Sequence, residues 1–551
     1  MGTWTINPDD LAATRTGLGL GTASVVNTGT TNGNVPLVGA DGKLAGAVLP
    51  PSGGSIDLTA SGAITAGKAV LLNTNGTASE VVGTSITQLI GSAFNPANET
   101  ASDAARIAYM TVPNKFFVLQ RSTVSGTDAT RARVWDLSTS MVITETTNAV
   151  VSGTSSAYGA DYSETHDRVI CQGQNTSPYY PGIYTASYST SNGLDVDGIT
   201  DAAGANFPYG SSVFIGANDH AICTAYPNTG TTANLFYRFY GLTLGSDASG
   251  DSLSSPQDYN AGITTGGETY HYYISPIWFS GPSKLMILKH GYHAASDYRV
   301  RLGYGSISGT GSSTTYTEEG EGDWNDSDMF MHSGKVKYDA GLDRAVWFDG
   351  KFLRTISLTG GYSQSALATV QASYPGTSNP TAACAVIPGT NLVGCFGPDA
   401  ANSNRLTMWL VTITTGSNAA ADTFSVASAV EISTDVASHY NDVCWSPDAG
   451  GFLTYLYMPS AASVSFGVRP ARTSTNVTSS NFLGFAAASA GDGATVSVQL
   501  PGATATPSGG GLTAGTTYYV GSGGGVQTTD AGFGKAGRAI SSTQLIIEER
   551  S

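Results

Sequence analysis

Clusters of aromatic residues are the groups in this chain with the most evident binding chemistry. Sugar rings stack on exposed aromatic faces, and Asn, Asp and Ser side chains that can bind hydroxyl groups surround these clusters. Packing within strands is the competing interpretation for any one residue, because the chain contains 27 tyrosines. The side chains we select as candidate ligand contacts are Tyr179, Tyr180, Tyr270, Tyr272, Tyr273 and Tyr292.

Two other groups have residue types that hold metal ions. His290 and His293 have a spacing used by metal sites, but no acidic residue of a zinc motif accompanies them, which favours a loop with a surface pair. The run from Glu318 to Asp328 is the densest acidic cluster, and Ca²⁺ binds several oxygens of a short loop. The spacing of a calcium-binding loop is absent, so a solvated loop is the favoured interpretation and we expect no cofactor. The alternative is a Ca²⁺ site near Asp323, Asp326 and Asp328.

Signatures of enzymes are missing from the sequence. It contains no GxSxG, no HExxH and no P-loop. Paired carboxylates could hydrolyse glycosidic bonds, but no pair stands out among 41 acidic residues. We therefore predict a protein that is not an enzyme, and we keep glycan cleavage as an alternative.

Charge and composition restrict the partners. The 551 residues include 25 Lys and Arg against 41 Asp and Glu, a net charge of −16, and no basic stripe offsets it. Nucleic-acid binding is thereby disfavoured. No apolar run approaches 18 residues and the N-terminus does not resemble a signal peptide, so we expect no membrane insertion. An odd number of widely spaced cysteines without CxxC predicts buried packing residues: Cys171, Cys223, Cys384, Cys395 and Cys444.

Paired apolar runs recur through residues 100–478. Each of seven instances has an apolar strand, a polar turn and a second apolar strand, from Tyr109 with Phe117 to Trp445 with Leu453. The step from Tyr109 to Tyr162 is 53 residues, which suits the four-stranded blades of a β-propeller. A β-solenoid, with turns of about 20–30 residues, or a sandwich array is the alternative. Residues 445–453 also resemble the turn of TolB-type propellers, in which we expect Asp448 to hold the turn.

The segments on either side of this region are similar to each other. Both contain a strand, a tight glycine turn and a returning strand, with Asn75-Gly76 in the first and Gly523–Gly525 in the second. We predict that residues 55–99 and 479–551 form one small β-domain, and that residues 100–478 are inserted into it.

The N-terminal segment combines a helix signal with a glycine-rich stretch. Asn7 can cap a helix with Pro8 at its first position, and Gly17 ends it. The apolar residues of the following stretch, up to residue 54, favour a stem in which several copies intertwine, and a flexible linker is the alternative. The run GLGTA, NTG, GNVPLV, DG, KL and LP within residues 19–50 resembles the stem segment of bacteriophage tail fibres.

This resemblance covers about a tenth of the chain, and it implies a virion tail fibre. Residues 1–54 would be the attachment helix and stem, with Trp4, Ile6 and Leu11 contacting a phage tail or adaptor protein. The chain would form a homotrimer, and residues 100–478 would be a seven-bladed head that binds a host glycan or outer-membrane receptor. The tyrosines selected above would be its receptor contacts. The alternatives are a structural head or tail decoration fibre and a glycan-depolymerising tailspike.

Overall fold

The structure is a computed structural model, and it describes most of residues 54–548. The predicted N-terminal helix and residues 1–53 of the predicted stem lie outside the described residues. The described chain divides into two compact units: residues up to Ser85 together with those from Thr473 form unit 1, and Ile86–Arg472 form unit 2. The gaps within the described range are 97–99, 125–126, 152–153, 176–180, 202–211, 216–220, 228–234, 254–256, 261–269, 295–296, 310–314, 325–335, 375–381, 437–438, 458–463, 478–480, 509–510 and 529–533.

Unit 1 contains two antiparallel sheets with apolar residues packed between them. The first, in spatial order, is β1 (Ser55–Thr59), β38 (Thr495–Gln499), β37 (Phe482–Ala486), β2 (Ala69–Leu72) and β3 (Ala78–Glu80). The second is β39 (Thr504–Ala505), β43 (Leu545–Ile547), β42 (Lys535–Ala539), β40 (Thr517–Val520) and β41 (Val526–Gln527). A further pair joins β4 (Gly83–Ile86) and β36 (Arg472–Thr475).

The two glycine turns predicted in this unit are confirmed. Strands β2 and β3 pair across a turn in which Gly76 has a φ of 82°, a conformation that glycine adopts without strain. Strands β40 and β41 pair across Gly521–Gly525, where Gly524 has a φ of 77°. Strands from both flanking segments share the first sheet, since β2 pairs with β37 and β1 pairs with β38.

Unit 2 consists of consecutive antiparallel sheets, which we label A to G in chain order. Sheet A is β6 (Thr100–Met110), β7 (Lys115–Val124), β8 (Thr127–Leu137) and β9 (Ile143–Val151). Sheet B is β10 (Thr154–Ser163), β11 (Arg168–Asn175), β12 (Pro181–Ser189) and β13 (Gly193–Asp201). Sheet C is β14 (Ser212–Ile215), β15 (Ala221–Pro227), β16 (Leu235–Thr243), β17 (Ser252–Leu253) and β18 (Gln257–Asn260). Sheet D is β19 (Tyr270–Phe279), β20 (Lys284–Ala294), β21 (Asp297–Ser308) and β22 (Thr315–Trp324).

The remaining sheets of unit 2 follow the same order. Sheet E is β23 (Lys337–Asp339), β24 (Arg344–Phe348), β25 (Phe352–Ser357), β26 (Ser363–Gln364) and β27 (Ala368–Thr369). Sheet F is β28 (Ala383–Val386), β29 (Leu392–Asp399), β30 (Arg405–Thr414), β31 (Thr423–Val426) and β32 (Val430–Val436). Sheet G is β33 (His439–Ser446), β34 (Gly451–Tyr457), β35 (Val464–Arg469) and β5 (Leu89–Ile90). Short 3-10 turns lie at Ala248–Gly250, Ala400–Asn402 and Ala419–Ala421.

Burial along the strands shows how the sheets are layered. Every residue of β24, β25 and β28 is buried, as expected for strands covered on both faces. Strand β9, the fourth of sheet A, alternates between more and less exposed residues over most of its length. Inner strands are therefore enclosed by neighbouring sheets, and β9 has one face directed away from them.

Apolar contacts join each sheet to the next and the last sheet to the first. Apolar clusters lie between sheets A and B, B and C, D and E, E and F, F and G, and G and A. Between C and D, the rings of Phe239 and Tyr316 stack with centroids 6.3 Å apart. This ring of consecutive antiparallel sheets is the arrangement of a β-propeller, and the predicted all-β class is confirmed. The β-solenoid alternative does not fit, because neighbouring strands of each sheet follow one another antiparallel.

A strand from the start of unit 2 completes sheet G. Ile90 of β5 pairs with Val468 of β35, and the Gly91 amide donates to the Gly467 carbonyl oxygen at 2.8 Å. Arg469 donates to the Thr139 carbonyl oxygen of sheet A at 3.1 Å. The division at 85/86 therefore differs from the boundary we predicted at 99/100, because Leu89, Ile90, Gly91 and Phe94 bond to β35 of sheet G. At the other boundary, the division lies at 472/473 instead of 478/479.

Two buried ion pairs link neighbouring sheets in the same way. Arg344, the first residue of β24, donates through Nε to Asp422 at 2.8 Å and through a terminal nitrogen to the Gly416 carbonyl oxygen at 3.1 Å. Asp422 in turn accepts from the Gly416 amide at 2.8 Å. The Asp422 side chain is 0% exposed, so this pair connects sheets E and F without contact with solvent.

The second pair repeats this arrangement between sheets B and C. Arg168 donates to Asp251 at 2.9 Å and to the Gly245 carbonyl oxygen at 3.1 Å, and Asp251 accepts from the Gly245 amide at 2.9 Å. Both arginines follow an aspartate, and both acceptors end a Gly-Ser-x-Ala-x-x-Asp segment, at 245–251 and 416–422.

One sequence expectation about a turn needs correction. In the turn after β33, Ser446 rather than Asp448 holds the chain: its hydroxyl accepts from the Ala449 amide at 3.1 Å. Asp448 is exposed at the tip of the turn and makes no hydrogen bond to the described residues. The predicted burial of cysteines is confirmed for Cys171, Cys384 and Cys395, whereas Cys444 is half-buried.

Candidate functional site

A cavity of about 520 Å³ lies at the centre of the ring of sheets in unit 2. The first strand of each of sheets A to G contributes residues to its wall, as do residues of the following turns such as Thr111, Ser280 and Pro447. The cavity is therefore at the end of unit 2 where the turns between first and second strands lie. We call this the turn end, and the opposite end of the sheets the far end. The volume is in the range of small-molecule sites, about 300–1,000 Å³.

Lys337 is the only lysine or arginine on the described wall of the cavity. Its ammonium group donates to the Val443 carbonyl oxygen at 2.6 Å, which joins sheet E to sheet G across the centre of the ring. Within the described residues, no carboxylate lies within 4 Å of this ammonium group. Burial acts to lower the pKa of Lys337, but coulombic interactions with Cys444 and Cys384 in their thiolate forms and with Asp442 and Asp161 outweigh it, so the pKa lies above its usual value.

Two carboxylates also lie on the wall of the cavity. Asp161 of β10 accepts from the Phe214 amide at 3.1 Å, and Asp339 of β23 accepts from the Leu342 amide at 2.8 Å. Burial raises the pKa of Asp339, and the hydrogen bonds from the Leu342 and Gly341 amides oppose this rise. Both aspartates are half-buried.

Aromatic side chains make up much of the rest of the wall. Tyr109, Tyr162, Trp278, Tyr338 and Trp445 line the cavity. Tyr162 and Tyr338 are fixed in the same way: each hydroxyl donates at 2.9 Å to an aspartate five residues later, Asp167 or Asp343. Burial, followed by this hydrogen bond, raises the pKa of Tyr338 to about 12, and it also raises that of Tyr162.

Sequence reasoning missed this site, although a signal was present. Register places Tyr109, Tyr162, Tyr338 and Trp445 at equivalent positions, each paired with the residue that begins the apolar part of the second strand. Aligning the repeats on these positions puts the residues directly before them in one column, and in sheet D the equivalent position is Trp278, which pairs with Leu285. That column contains Ala108, Asp161, Ile277, Lys337 and Cys444, and all of them line the cavity.

The tyrosines that we selected from the sequence lie elsewhere. Tyr270, Tyr272 and Tyr273 are at the start of β19, and Tyr292 is near the end of β20. Tyr270 pairs with Tyr292, and Tyr272 lies in a bulge of the register between His271 and Tyr273. Eight residues separate Tyr270 from Trp278 on one strand, or roughly 26 Å, so these tyrosines are at the far end.

Other selected residues lie outside the described part of the chain. These are Tyr179, Tyr180, the attachment candidates Trp4, Ile6 and Leu11, and the acidic residues Asp326 and Asp328. Residues 318–324 form part of β22 and are not the loop that we expected, because they pair with β21 along their length. Glu319 in this segment accepts hydrogen bonds from Lys284 and Ser306 and forms an ion pair with Lys284. The hydrogen bonds, together with the charge of Lys284, lower the pKa of Glu319. His290 and His293 are likewise in a strand, β20, and not in a loop.

Two other kinds of feature are absent from the described residues. No group of three His, Cys, Asp or Glu side chains there is placed to hold a metal ion. In the same part of the chain, no helix has the length and apolar character needed to cross a membrane.

Comparison with known proteins gave structural similarities only. No family model matches the sequence, and no curated protein matches it. Sqt1 of Chaetomium thermophilum is similar in structure with a TM-score of 0.38 and 7% identity, over 70% of this chain and 98% of Sqt1. A Lactobacillus plantarum protein has a TM-score of 0.35 and 11% identity, over 63% of this chain and 95% of that one. The β-propeller domain of the Trilobed protease from Pyrococcus furiosus has a TM-score of 0.33 and 9% identity, over 68% and 97%. At these values, no function transfers to this chain.

Proposed function

We propose that this protein is a phage tail fibre that binds the surface of a bacterial host through the far end of unit 2. Residues 1–54 attach the fibre to the virion and form a trimeric stem. Sheets A to G are the blades of a seven-bladed propeller, inserted in the small β-domain, that serves as the receptor-binding head. The ligand is a cell-surface glycan.

The position of the chain connections of unit 2 carries this proposal. Leu89 pairs with Arg469 beside the turn between β33 and β34, so the chain enters and leaves unit 2 at the turn end. Arg472, the last residue of the unit, lies over the ring of Trp445, with its guanidinium carbon 4.9 Å from the ring centroid, at that same end. Both connections of unit 2 to the rest of the chain are therefore at the turn end.

The composition and strand lengths of the far end support a binding role. Strands of sheets A, B and D are 8–12 residues long, whereas those of sheet E are 2–6 residues long. The longer strands carry tyrosines and uncharged polar residues to the far end. Such residues bind sugars through ring stacking and hydroxyl groups.

The trimeric state is a separate expectation of this proposal. Three heads on one stem would convert weak single contacts into high avidity. Light scattering of the full-length protein should give three times the chain mass of 56.5 kDa. A monomer mass would contradict the trimeric stem and leave the receptor-binding head to be tested alone.

Cell binding tests the receptor role. Fluorescently labelled full-length protein should bind saturably to at least one strain of a bacterial panel. Periodate oxidation of the cells, which destroys vicinal diols of sugars, should remove this binding, and protease treatment should leave it unchanged. Loss after protease treatment alone would replace the glycan with a protein receptor.

The alternatives predict different results in the same assay. A structural head or tail decoration fibre would bind no strain that the source virus infects. A depolymerase would release soluble sugar fragments from the cells during incubation. Release of such fragments by the purified protein would overturn the expectation that it is not an enzyme.

A further inference from the structure

Lys351 is a cation without a counterion at the far end of sheet E. It lies in the turn that joins β24 to β25, and turns between second and third strands are at the far end. Its side chain makes no hydrogen bond or ion pair with the described residues. The ammonium nitrogen is not enclosed by protein, so solvent reaches it. Its three N–H donors are therefore open to a ligand.

The turn holds this lysine in a fixed position. Asp349 accepts from the Lys351 amide at 2.8 Å, and the Lys351 carbonyl oxygen accepts from the Val370 amide at 2.8 Å. The ammonium group lies 4.4 Å from the ring centroid of Phe352 and 5.0 Å from that of Tyr374. A cation held over two rings loses less conformational freedom on binding than a lysine that extends into solvent.

The neighbouring carboxylate belongs to the turn and is not the partner of this cation. Asp349 is 2% exposed, and it accepts from the amides of Lys351 and Phe352 and from the Tyr374 hydroxyl, the last at 2.6 Å. No carboxylate of the described residues forms an ion pair with the Lys351 ammonium group. Asp349 thus fixes the turn and the Tyr374 ring, and the lysine keeps its donors.

Sheet D brings further basic residues to the same height. The second strands of sheets D and E begin at equivalent positions, since the first residue of each pairs with the last residue of the preceding strand. Counting from these positions places Lys289 of β20 level with Asp349. Lys289 pairs with Arg301 of β21, which pairs in turn with Asp323 of β22. This row has two basic residues and one acidic residue, in a chain whose net charge is −16.

The short strands of sheet E place Lys351 in a recess beside sheet D. Strands β24 and β25 have 5 and 6 residues, whereas β20 and β21 have 11 and 12. Strand β20 continues from Lys289 to Ala294, or roughly 17 Å past the level of the turn. A ligand bound at Lys351 would therefore lie against the side of sheet D.

We propose that Lys351 binds the acidic group, a carboxylate or a phosphate, of the glycan on the host surface. This inference rests on the proposed function, because it names the class of glycan that the far end recognises. Both groups accept charge-assisted hydrogen bonds from an ammonium group, which are about twice as strong as those between neutral groups. A neutral glycan offers the lysine only hydroxyl oxygens.

Calorimetric titration of the full-length protein tests the site. The probes are glucuronic acid and glucose 6-phosphate, which distinguish a carboxylate from a phosphate, with glucose as the neutral counterpart. At least one charged sugar should bind saturably and more tightly than glucose, and added salt should weaken this binding. Absence of saturable binding by both charged sugars, or equal binding of glucose, would overturn the proposal.

Variants locate the binding. Lys351→Met keeps the aliphatic stem and should weaken the affinity for the charged sugar about tenfold, because it removes a charged donor. Lys351→Arg keeps the charge and should stay within about threefold of the wild type. Lys115→Met is the matched control, because it makes the same change of charge at the turn end of unit 2, where Lys115 pairs with Asp136. Unchanged affinity in the Lys351→Met protein would overturn the assignment.

Cell binding separates this inference from the proposed function. If Lys351→Met weakens binding to a strain that the wild-type and Lys115→Met proteins bind equally, the acidic group is part of the host receptor. If all three proteins bind the strain equally, host adhesion stands and the inference fails. If the wild-type protein binds no strain, the proposed function fails, and the titration alone decides whether Lys351 holds an acidic group.

Discussion

Asp422→Ala is expected to lower the free energy of unfolding by about 3–5 kcal/mol, since it leaves a buried guanidinium group without its counterion. Asp422 accepts from Arg344, from the Gly416 amide and from the Thr355 hydroxyl, the last at 2.6 Å. All of these donors would lose their partner in a place that water does not reach. Urea unfolding of the full-length protein, followed by tryptophan fluorescence, measures the change.

An exposed ion pair in the same sheet provides the control. Glu431 accepts from Arg405 at 3.0 Å, and both side chains are about one-third exposed. Exposed pairs contribute little, so Glu431→Gln should leave the unfolding midpoint unchanged. If Asp422→Ala behaves as Glu431→Gln does, the Arg344–Asp422 pair does not hold sheets E and F together.

Gly91→Ala is expected to destabilise unit 2 by about 3 kcal/mol, because there is no space for a side chain where β5 completes sheet G. A Cβ atom on Gly91 would lie 1.9 Å from the Met141 carbonyl oxygen of sheet A. Relief of this clash would move the strand that pairs with β35 and break the bond from the Gly91 amide to Gly467. The thermal unfolding midpoint of the full-length protein reports the effect.

Gly491→Ala is the matched control for this substitution. Its Cβ atom would meet no atom within 4 Å, and the backbone of Gly491 is not in the left-handed region. Its midpoint should stay at the wild-type value. Equal midpoints for Gly91→Ala and Gly491→Ala would mean that the closing strand contributes nothing measurable to the stability of the ring.

The repeated sheets could be predicted from the sequence because their signal is local. A first strand, its turn and its second strand lie within about 20 residues, as in Tyr162 to Cys171, and their apolar residues recur at each step. The glycine turn at Gly76 was predictable for the same reason. The acidic run at 318–324 was misread as a loop because its charge hides a strand pattern that only pairing with β21 reveals.

The contacts that arrange the sheets could not be predicted in this way. Arg344 and Asp422 are 78 residues apart, and Arg168 and Asp251 are 83 apart, so neither pair has a local pattern. The cavity could not be predicted for the same reason. Asp161, Trp278 and Lys337 come from different sheets, and they line one cavity only once the ring of sheets is closed. Aligning the repeats would have shown the column that Asp161 and Lys337 share, but not that this column faces inward.

Cell binding by far-end variants tests the central claim most directly. Full-length protein carrying Tyr270→Ala and Tyr292→Ala should bind a strain recognised by the wild type at least about tenfold more weakly, as expected when aromatic contacts are truncated at an interface. Val142→Ser is the control, because Val142 is 54% exposed and lies at the turn end, and it should bind as the wild type does. Wild-type binding by the far-end variant, with a loss in the Val142→Ser protein, would contradict the account and place host recognition at the turn end.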